Sequence, residues 1–419
     1  MNTDDTQFLT RLFDAAVAAA DPRKALAAHL PARPKGRTVV VGAGKGAAQM
    51  AAAFEDLWEE PVEGVIVTRY GYGAPTRHVR VLEASHPVPD NAGLEASEAL
   101  LSAIDGLTED DLVVALVCGG GSALLPAPPE GLTLEDEQSL NQVLLASGAP
   151  ISAMNAIRKQ ISQIKGGRLA AAAYPAQVVS LVVSDVPGDD PAQVASGPTV
   201  PDHVSRADAE RLVQTYDIKL PGRIAAYLKS SPPPPTPDDD VFARNSVTVV
   251  ASAALSLEAA ARTAKKAGIP AVILSDAIEG EARDVGLVHA AIAREVRNRN
   301  RPFTAPVVIL SGGETTVTIR DKAGRGGRNT EFLMAFAGEI EGETLTALAA
   351  DTDGIDGSED NAGAFADGTS WARMRAVKVD PGALLSGHDA WSAFHAVGDL
   401  FVPGPTGTNV NDFRAILIR

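Results

Sequence analysis

The sequence contains one cysteine, Cys118, in 419 residues. That excludes an intrachain disulfide framework and any zinc site built on paired thiolates, and it is the usage expected of a cytoplasmic protein. Cys118 lies in an apolar run, where inert buried thiols outnumber reactive ones. The seven histidines form no H-x-x-x-H pair, so a helical zinc site of that kind is missing too. Basic residues are in deficit: 37 Lys plus Arg stand against 53 Asp plus Glu, a formal charge of −16, with no basic tail. Such a balance argues against general binding of nucleic acid or anionic membranes. An anionic ligand therefore needs a local basic pocket. The first ten residues carry Asp4 and Asp5 and lack the basic and apolar regions of a signal peptide. The longest uncharged stretch, 112–129, is broken by Gly119, Gly120 and Gly121 and by Pro126, Pro128 and Pro129. It reads as strand, turn and loop, not as a membrane span.

What is present is globular: 45% hydrophobic and 21% charged residues, in a length that suits two to three structural units. Short β-branched runs at 39–41, 112–117 and 178–183 lead into glycine, serine or aspartate, and another at 65–67 ends at Thr68. Alanine-rich helical stretches at 47–57 and 92–104 lie between them. Uninterrupted apolar strands alternating with helices indicate a parallel sheet covered on both faces. Pro232, Pro233, Pro234, Pro235 and Pro237 mark a stiff connector, followed by Asp238, Asp239 and Asp240, and the main boundary is expected near it. The alternation resumes at 271–274, 307–310 and 345–350, with a further strand expected at Ala396 and Val397 leading to Phe401. Ligands of open α/β sheets bind beyond the carboxyl ends of the strands, where most of the Gly, Ser and Asp clusters fall. A cleft between two α/β domains is the expected site.

Gly42-Ala43-Gly44-Lys45-Gly46-Ala47 has the form G-x-G-x-x-A after a strand. The next strand ends in Thr68-Arg69, without the acid a dinucleotide ribose requires, and the sequence does not meet the P-loop pattern. Lys45 with helix-terminal N–H groups suits a phosphoryl anion. Gly119, Gly120, Gly121 and Ser122 could wrap a phosphate or carboxylate with backbone amides. Leu124 stands where a hydrolase elbow needs glycine. Asn155, Arg158, Lys159, Ser162, Lys165 and Arg168 form a polar cluster, of which Arg158, Ser162 and Lys165 share a face at helical spacing. In so acidic a chain, this concentration of cations could hold a carboxylate or phosphate. Asp185, Asp189 and Asp190 follow one strand, and Asp351, Asp353 and Asp356 follow another; Ile355 excludes an EF-hand. Strand-end carboxylates suit Mg²⁺ or a base accepting a hydroxyl proton, with Asp189 and Asp351 the candidate metal ligands. Residues 311–316 and 324–331 read as a glycine-rich strand pair carrying Glu314, Arg325 and Asn329, and Thr408 and Asn409 sit in a late turn.

Taken in order, the motifs resemble the glycerate 2-kinase family with a C-terminal MOFRL domain, whose members have often carried the name hydroxypyruvate reductase. The resemblance runs through GAGKGA at 42–47, HPVPD at 86–90, GGGSALL at 119–125 and RKQISQIKGGR at 158–168. It continues through SDVPGDDPAQVASGPT at 184–199, SGGETTVT at 311–318, GGRNTE at 326–331, DTDGIDG at 351–357 and TGTNVND at 406–412. It implies a Rossmann-like domain over residues 1–235. A second, mixed-sheet α/β domain would follow over 241–419, with its MOFRL region at about 305–415. It implies ATP- and Mg²⁺-dependent phosphorylation of D-glycerate to 2-phosphoglycerate, with no nucleic acid or membrane partner; a homo-oligomer is left open. Lys45 matches the family's catalytic lysine, and Arg325 and Asp351 fall in its other active-site motifs. Two positions depart from the pattern: Gln160 where histidine is usual, and Cys118 where serine is usual. Two rival readings are an NAD(P)H-dependent hydroxypyruvate reductase, resting on residues 42–47, and a non-catalytic sugar-acid-binding regulator.

Overall fold

The computed structural model describes residues 1–319 and 324–419. The chain divides into two compact units, Pro22–Val250 and Met1–Asp21 with Ala251–Arg419.

The first unit is built on β1 (Thr38–Ala43), β2 (Glu63–Arg69), β3 (Arg80–Ala84), β4 (Leu112–Cys118), β5 (Gln177–Val183) and β6 (Ser246–Ala251), in the order β3-β2-β1-β4-β5-β6. The pairings from β3 through β5 are parallel. Every residue of β1 and β4 is buried, which is why both read as continuous apolar runs. Helices Ala47–Trp58 and Asn91–Ala103 fall where their alanine-rich pattern predicts, the second N-capped by Asp90, which accepts from Gly93 N. This strand order reverses between β1 and β4. That reversal is the topological switch point, where ligands of open α/β sheets bind.

A helical layer of the same unit includes Leu134–Ala146, Ile151–Gln160, Arg206–Thr215 and Gly222–Ser230, packed through Leu140, Leu144, Ile157 and Ile224. The helix bearing Arg158 ends at Gln160, so Ser162 and Lys165 do not continue its face as the spacing suggested. Ser162 Oγ instead accepts from the amides of Ile164 and Lys165, a local turn that competes with helix. The proline-rich connector has no regular structure over 231–236 and leads into β6, which joins the first sheet; it lies inside this unit.

The second unit contains β7 (Ala271–Ile273), β8 (Gly280–Glu281), β9 (Val307–Gly313), β10 (Thr315–Thr316), β11 (Leu345–Asp351), β12 (Gly363–Asp367), β13 (Leu400–Phe401) and β14 (Asp412–Ile418). Its main sheet has the order β13-β12-β11-β14-β9-β7; β7 and β9 are parallel and the other pairs antiparallel. Side-chain alternation divides it into two faces. Val307, Ile309, Ile416 and Ile418 pack with Phe332 and Phe336, whereas Val308, Leu310, Ala415 and Leu417 pack with Leu9, Leu12, Phe13 and Leu257. The terminal helix Thr3–Ala19 thus belongs to this unit's core.

Two expected strands are not formed. Ala396 and Val397 end the helix Ala390–Val397, and Arg328 opens the helix Arg328–Glu339, so residues 324–331 are not the second half of a strand pair. Among the described residues, no helix is long and apolar enough to cross a membrane.

Candidate active site

Lys45 stands in the turn between β1 and helix Ala47–Trp58. The amides around it are already engaged: Gly44 N donates to Val67 O (3.1 Å), Lys45 N to Gly119 O (2.9 Å) and Ala47 N to Gly44 O (3.2 Å). Gly46 N donates to Cys118 Sγ at 3.2 Å. The expectation that these amides meet a phosphoryl anion is therefore corrected, because four successive N–H groups are used inside the protein. A dinucleotide cradle needs them free. What the turn does offer is the Lys45 side chain. It is half-buried, and its ammonium has no carboxylate within ion-pair distance among the described residues.

The backbone that allows this comes from close approach. A Cβ on Gly44 would lie 2.4 Å from Cys118 O, and Gly44 has φ +134°. Gly42 is equally tight against β4, with a Cβ 2.2 Å from Leu116 O. Gly120, at φ +80°, is where Lys45 and His86 converge: a Cβ there would lie 3.1 Å from Lys45 Cγ and 3.2 Å from His86 Nε2. Burial, then the charges of Lys45 and Arg69, push the His86 imidazole down to about 4, so it is neutral at physiological pH. Burial pushes the Cys118 thiol up to about 12, which leaves it protonated and unreactive.

Gly119 is pressed on Asp185: a Cβ would lie 1.9 Å from Asp185 Oδ2. Gly121 packs on Ala195, with a Cβ 2.7 Å from the Ala195 Cβ. Next in the loop, Ser122 Oγ is 2.9 Å from Ser196 Oγ, which donates to Asn155 Oδ1 at 3.0 Å. Arg158 donates to Asn155 Oδ1 (3.1 Å) and to Asn141 Oδ1 (2.8 Å). Ser122, Asn155 and Arg158 are thereby brought together with the glycine loop. Arg158 is satisfied by amide oxygens and no carboxylate within ion-pair distance among the described residues, and burial lowers its pKa. Lys165 is different. Its ammonium is fully buried on Glu137 (2.7 Å) and Leu125 O (2.8 Å), a structural pair with nothing left to bind a ligand.

Asp189 has φ +54° and is half-buried, and its carboxylate takes no hydrogen bond or ion pair among the described residues. It suits a hard cation as an oxygen donor. Asp351, read from sequence as a strand-end carboxylate, is the last residue of β11 and is buried. Its Oδ2 accepts from Arg328 at 2.6 Å. Burial holds its carboxyl well above the usual range, opposed by Arg328 and reinforced by Asp353 and Asp412. Among the described residues, no group of three or more His, Cys, Asp or Glu is arranged to hold a metal. A single carboxylate such as Asp189 is compatible with an ion that completes its shell with substrate oxygens and water, as Mg²⁺ does.

In the second unit Arg328 is the hub. Besides Asp351 it donates to Asp412 Oδ1 (2.6 Å) and Glu314 Oε1 (3.2 Å), and its carboxylate partners raise its pKa against the opposing effect of burial. Asn329 is buried: its side chain donates to Asp412 Oδ1 at 2.8 Å, and its amide to Asp356 Oδ1 at 2.9 Å. Asp356 also accepts from Thr330 N at 2.9 Å and so caps this helix; burial raises its carboxyl to about 6. Arg325 is more exposed, stacked 3.5 Å over Trp391 and paired with Glu359. Thr408 donates to Ala20 O at 2.9 Å, tying its turn to the end of helix Thr3–Ala19, and Asn409 Oδ1 accepts from Asn411 N at 3.0 Å within the turn. His86, Ser196, Arg328 and Asp412 were not among the site candidates from sequence, and Asp185 entered only as one of three carboxylates after a strand. The useful signal for Asp185 was its place after β5, next to the switch point, which requires the strand order.

A doubly wound sheet, with a lysine at its switch point that has no carboxylate partner among the described residues, defines an α/β enzyme unit. Residues 8–229 match a domain of unknown function, DUF4147, and residues 307–412 match the MOFRL family. A protein of Agrobacterium vitis with the provisional name hydroxypyruvate reductase is 52% identical, over 98% of this chain and 94% of its own length. Glycerate 2-kinase of Pyrococcus horikoshii is 40% identical over 92% of this chain and 88% of its own. The crystal structure of glycerate kinase from Thermotoga maritima superposes with a TM-score of 0.90 at 35% identity, covering 100% of both chains. The chain belongs to the glycerate 2-kinase family with a C-terminal MOFRL domain.

Proposed function

We propose that this chain is an ATP-dependent, Mg²⁺-requiring kinase that phosphorylates D-glycerate at its 2-hydroxyl. The observation that carries the reading is the half-buried Lys45 ammonium, with no carboxylate partner among the described residues, beside the glycine loop at the sheet's switch point. A cation without a counter-charge from the protein is available to one carried by a ligand. Phosphoryl transfer needs positioning and charge stabilisation more than covalent chemistry from the protein. Lys45 neutralises charge on the transferred group. Arg158, held in place by Asn141 and Asn155, takes the glycerate carboxylate, for which a guanidinium fork is matched. The neutral imidazole of His86 lies near Lys45, where it can accept a hydrogen bond from the attacking hydroxyl. Arg325 and Asp351 are assigned supporting roles by the family resemblance. Asp189 is the carboxylate best suited to hold Mg²⁺, which when bound neutralises phosphate charge. The scant cysteine content supports a cytoplasmic setting.

The Agrobacterium relative's name raises a second reading, an NAD(P)H-dependent reductase. The engaged amides of residues 44–47 and the absence of an acid at the end of β2 speak against it. There Thr68 donates to Lys45 O and Arg69 stacks over Tyr72. The test gives purified protein D-glycerate, ATP and Mg²⁺, coupled through enolase without mutase, beside hydroxypyruvate with NADH or NADPH. Signal in the first arm alone is expected. Oxidation of NADH or NADPH with silence in the first arm would overturn the proposal.

A further inference from the structure

Ser196 is fully buried, yet its backbone has φ +60°, a left-handed conformation that side chains other than those of Gly, Asn and Asp seldom adopt. Ala195 before it has φ +53° and Gly197 after it φ +58°. Glycine would meet the backbone demand at 196 with less strain, so retaining serine there needs a reason in its hydroxyl. That hydroxyl has two partners. It donates to Asn155 Oδ1 at 3.0 Å and lies 2.9 Å from Ser122 Oγ. A serine has one hydroxyl proton. With that proton on Asn155, Ser122 must donate to Ser196, which leaves the Ser122 oxygen as an acceptor. The Asn155 amide is fixed in turn, because its nitrogen donates to Gln193 O at 3.3 Å and its oxygen accepts from both Ser196 and Arg158. The strained segment is also clamped from outside: Gly166 N donates to Ser196 O at 3.0 Å, and Gly121 leaves no room for a Cβ against Ala195.

We propose that Ser196 is a positioning residue for the acid substrate: its hydroxyl ties the glycine loop at Ser122 to Asn155 and, through Asn155, sets the direction of the Arg158 guanidinium that receives the glycerate carboxylate. This rests on the proposed function and deepens it. The relay passes through hydrogen bonds alone, so losing its central hydroxyl loosens Arg158 without removing any charge.

The left-handed backbone supplies an unusually clean variant. Ser196→Gly removes the hydroxyl and relieves the conformation, so it should fold at least as well as the wild type. Its KM for D-glycerate should rise about tenfold, the loss of one hydrogen bond to the relay, while the KM for ATP stays within about twofold. Ser122→Ala should raise the same KM in the same direction, by less. A Ser196→Gly protein with unchanged glycerate KM, in a preparation whose wild type phosphorylates glycerate, would overturn this inference alone. A thermal midpoint lowered with KM unmoved would likewise make the hydroxyl purely structural. A wild type that does not phosphorylate glycerate would overturn the proposed function and this inference with it.

Discussion

Replacing Lys45 by Met removes the ammonium and keeps the stem that fills the space beside Gly120. The backbone bonds of residue 45, to Gly119 O and from Thr68 Oγ1, do not depend on the side chain. The thermal midpoint should therefore move by no more than a degree or two. The effect on chemistry should be large. At a half-buried site an ammonium about 4 Å from a phosphoryl charge interacts by about 4 kcal/mol, taking an effective dielectric constant of about 20. Removing one preorganised charge-stabilising group from other enzymes costs about 2.7–4 kcal/mol, or about 10²–10³ in kcat. The two routes agree, and a loss of that size is expected in steady-state kinetics with saturating ATP and D-glycerate. Nucleotide binding by calorimetry should survive, since the contact is stronger at the transition state than before it. A second readout is independent of activity. Lys45 is one of the charges that keep His86 neutral, so the His86 imidazole should titrate at higher pH in Lys45→Met than in the wild type, by NMR. A variant that folds, keeps full kcat and leaves the His86 titration unmoved would refute the placement of Lys45 at the reacting phosphoryl group.

Further outcomes follow from particular contacts. Gly120→Ala should destabilise the protein by about 1–2 kcal/mol for its left-handed φ and reduce kcat/KM at least tenfold by displacing Lys45 and His86, measured by urea melts and steady-state kinetics. Asp189→Asn should leave stability within about 0.5 kcal/mol and raise the Mg²⁺ concentration needed for half-maximal rate; an unchanged Mg²⁺ dependence would remove Asp189 from the metal. Asp351→Asn removes one of three carboxylate partners of Arg328 and should lower stability by about 1–3 kcal/mol in a denaturant melt. His289, between Val285 O and Ser311 Oγ, is held by burial at about 4. Between pH 6.5 and 4 the unfolded chain thus binds a proton at this position that the folded chain does not, so stability falls as pH falls. At pH 4.5 the loss amounts to roughly 2–3 kcal/mol; His289→Gln should lose that much less than the wild type between pH 7 and pH 4.5.

The strands that frame the first site were readable because each is buried on both faces and ends in glycine, serine or aspartate. β14 was not: Asp412 and Arg414 break its apolar run, and their mutual pairing, with both residues buried, appears only in three dimensions. The helix face drawn through Arg158, Ser162 and Lys165 failed for a related reason. Lys165 finds Glu137 far away in the chain, and Ser162 caps its own turn. Lys45 was visible from its place between a strand and a helix, but the engagement of the surrounding amides was not, since it depends on which strands are neighbours. Arg325 entered through the family resemblance, whereas the pairing of Arg328 with Asp351 and Asp412 is seen only once the helix start and its neighbours are placed.

The most direct measurement is phosphorus NMR of the wild-type reaction with D-glycerate, ATP and Mg²⁺, run beside Lys45→Met. The expected result is ADP together with a single new phosphomonoester on the 2-hydroxyl, formed by the wild type and nearly absent with the variant. ATP left intact by the wild type, or a phosphate placed on the 3-hydroxyl, would contradict the assignment.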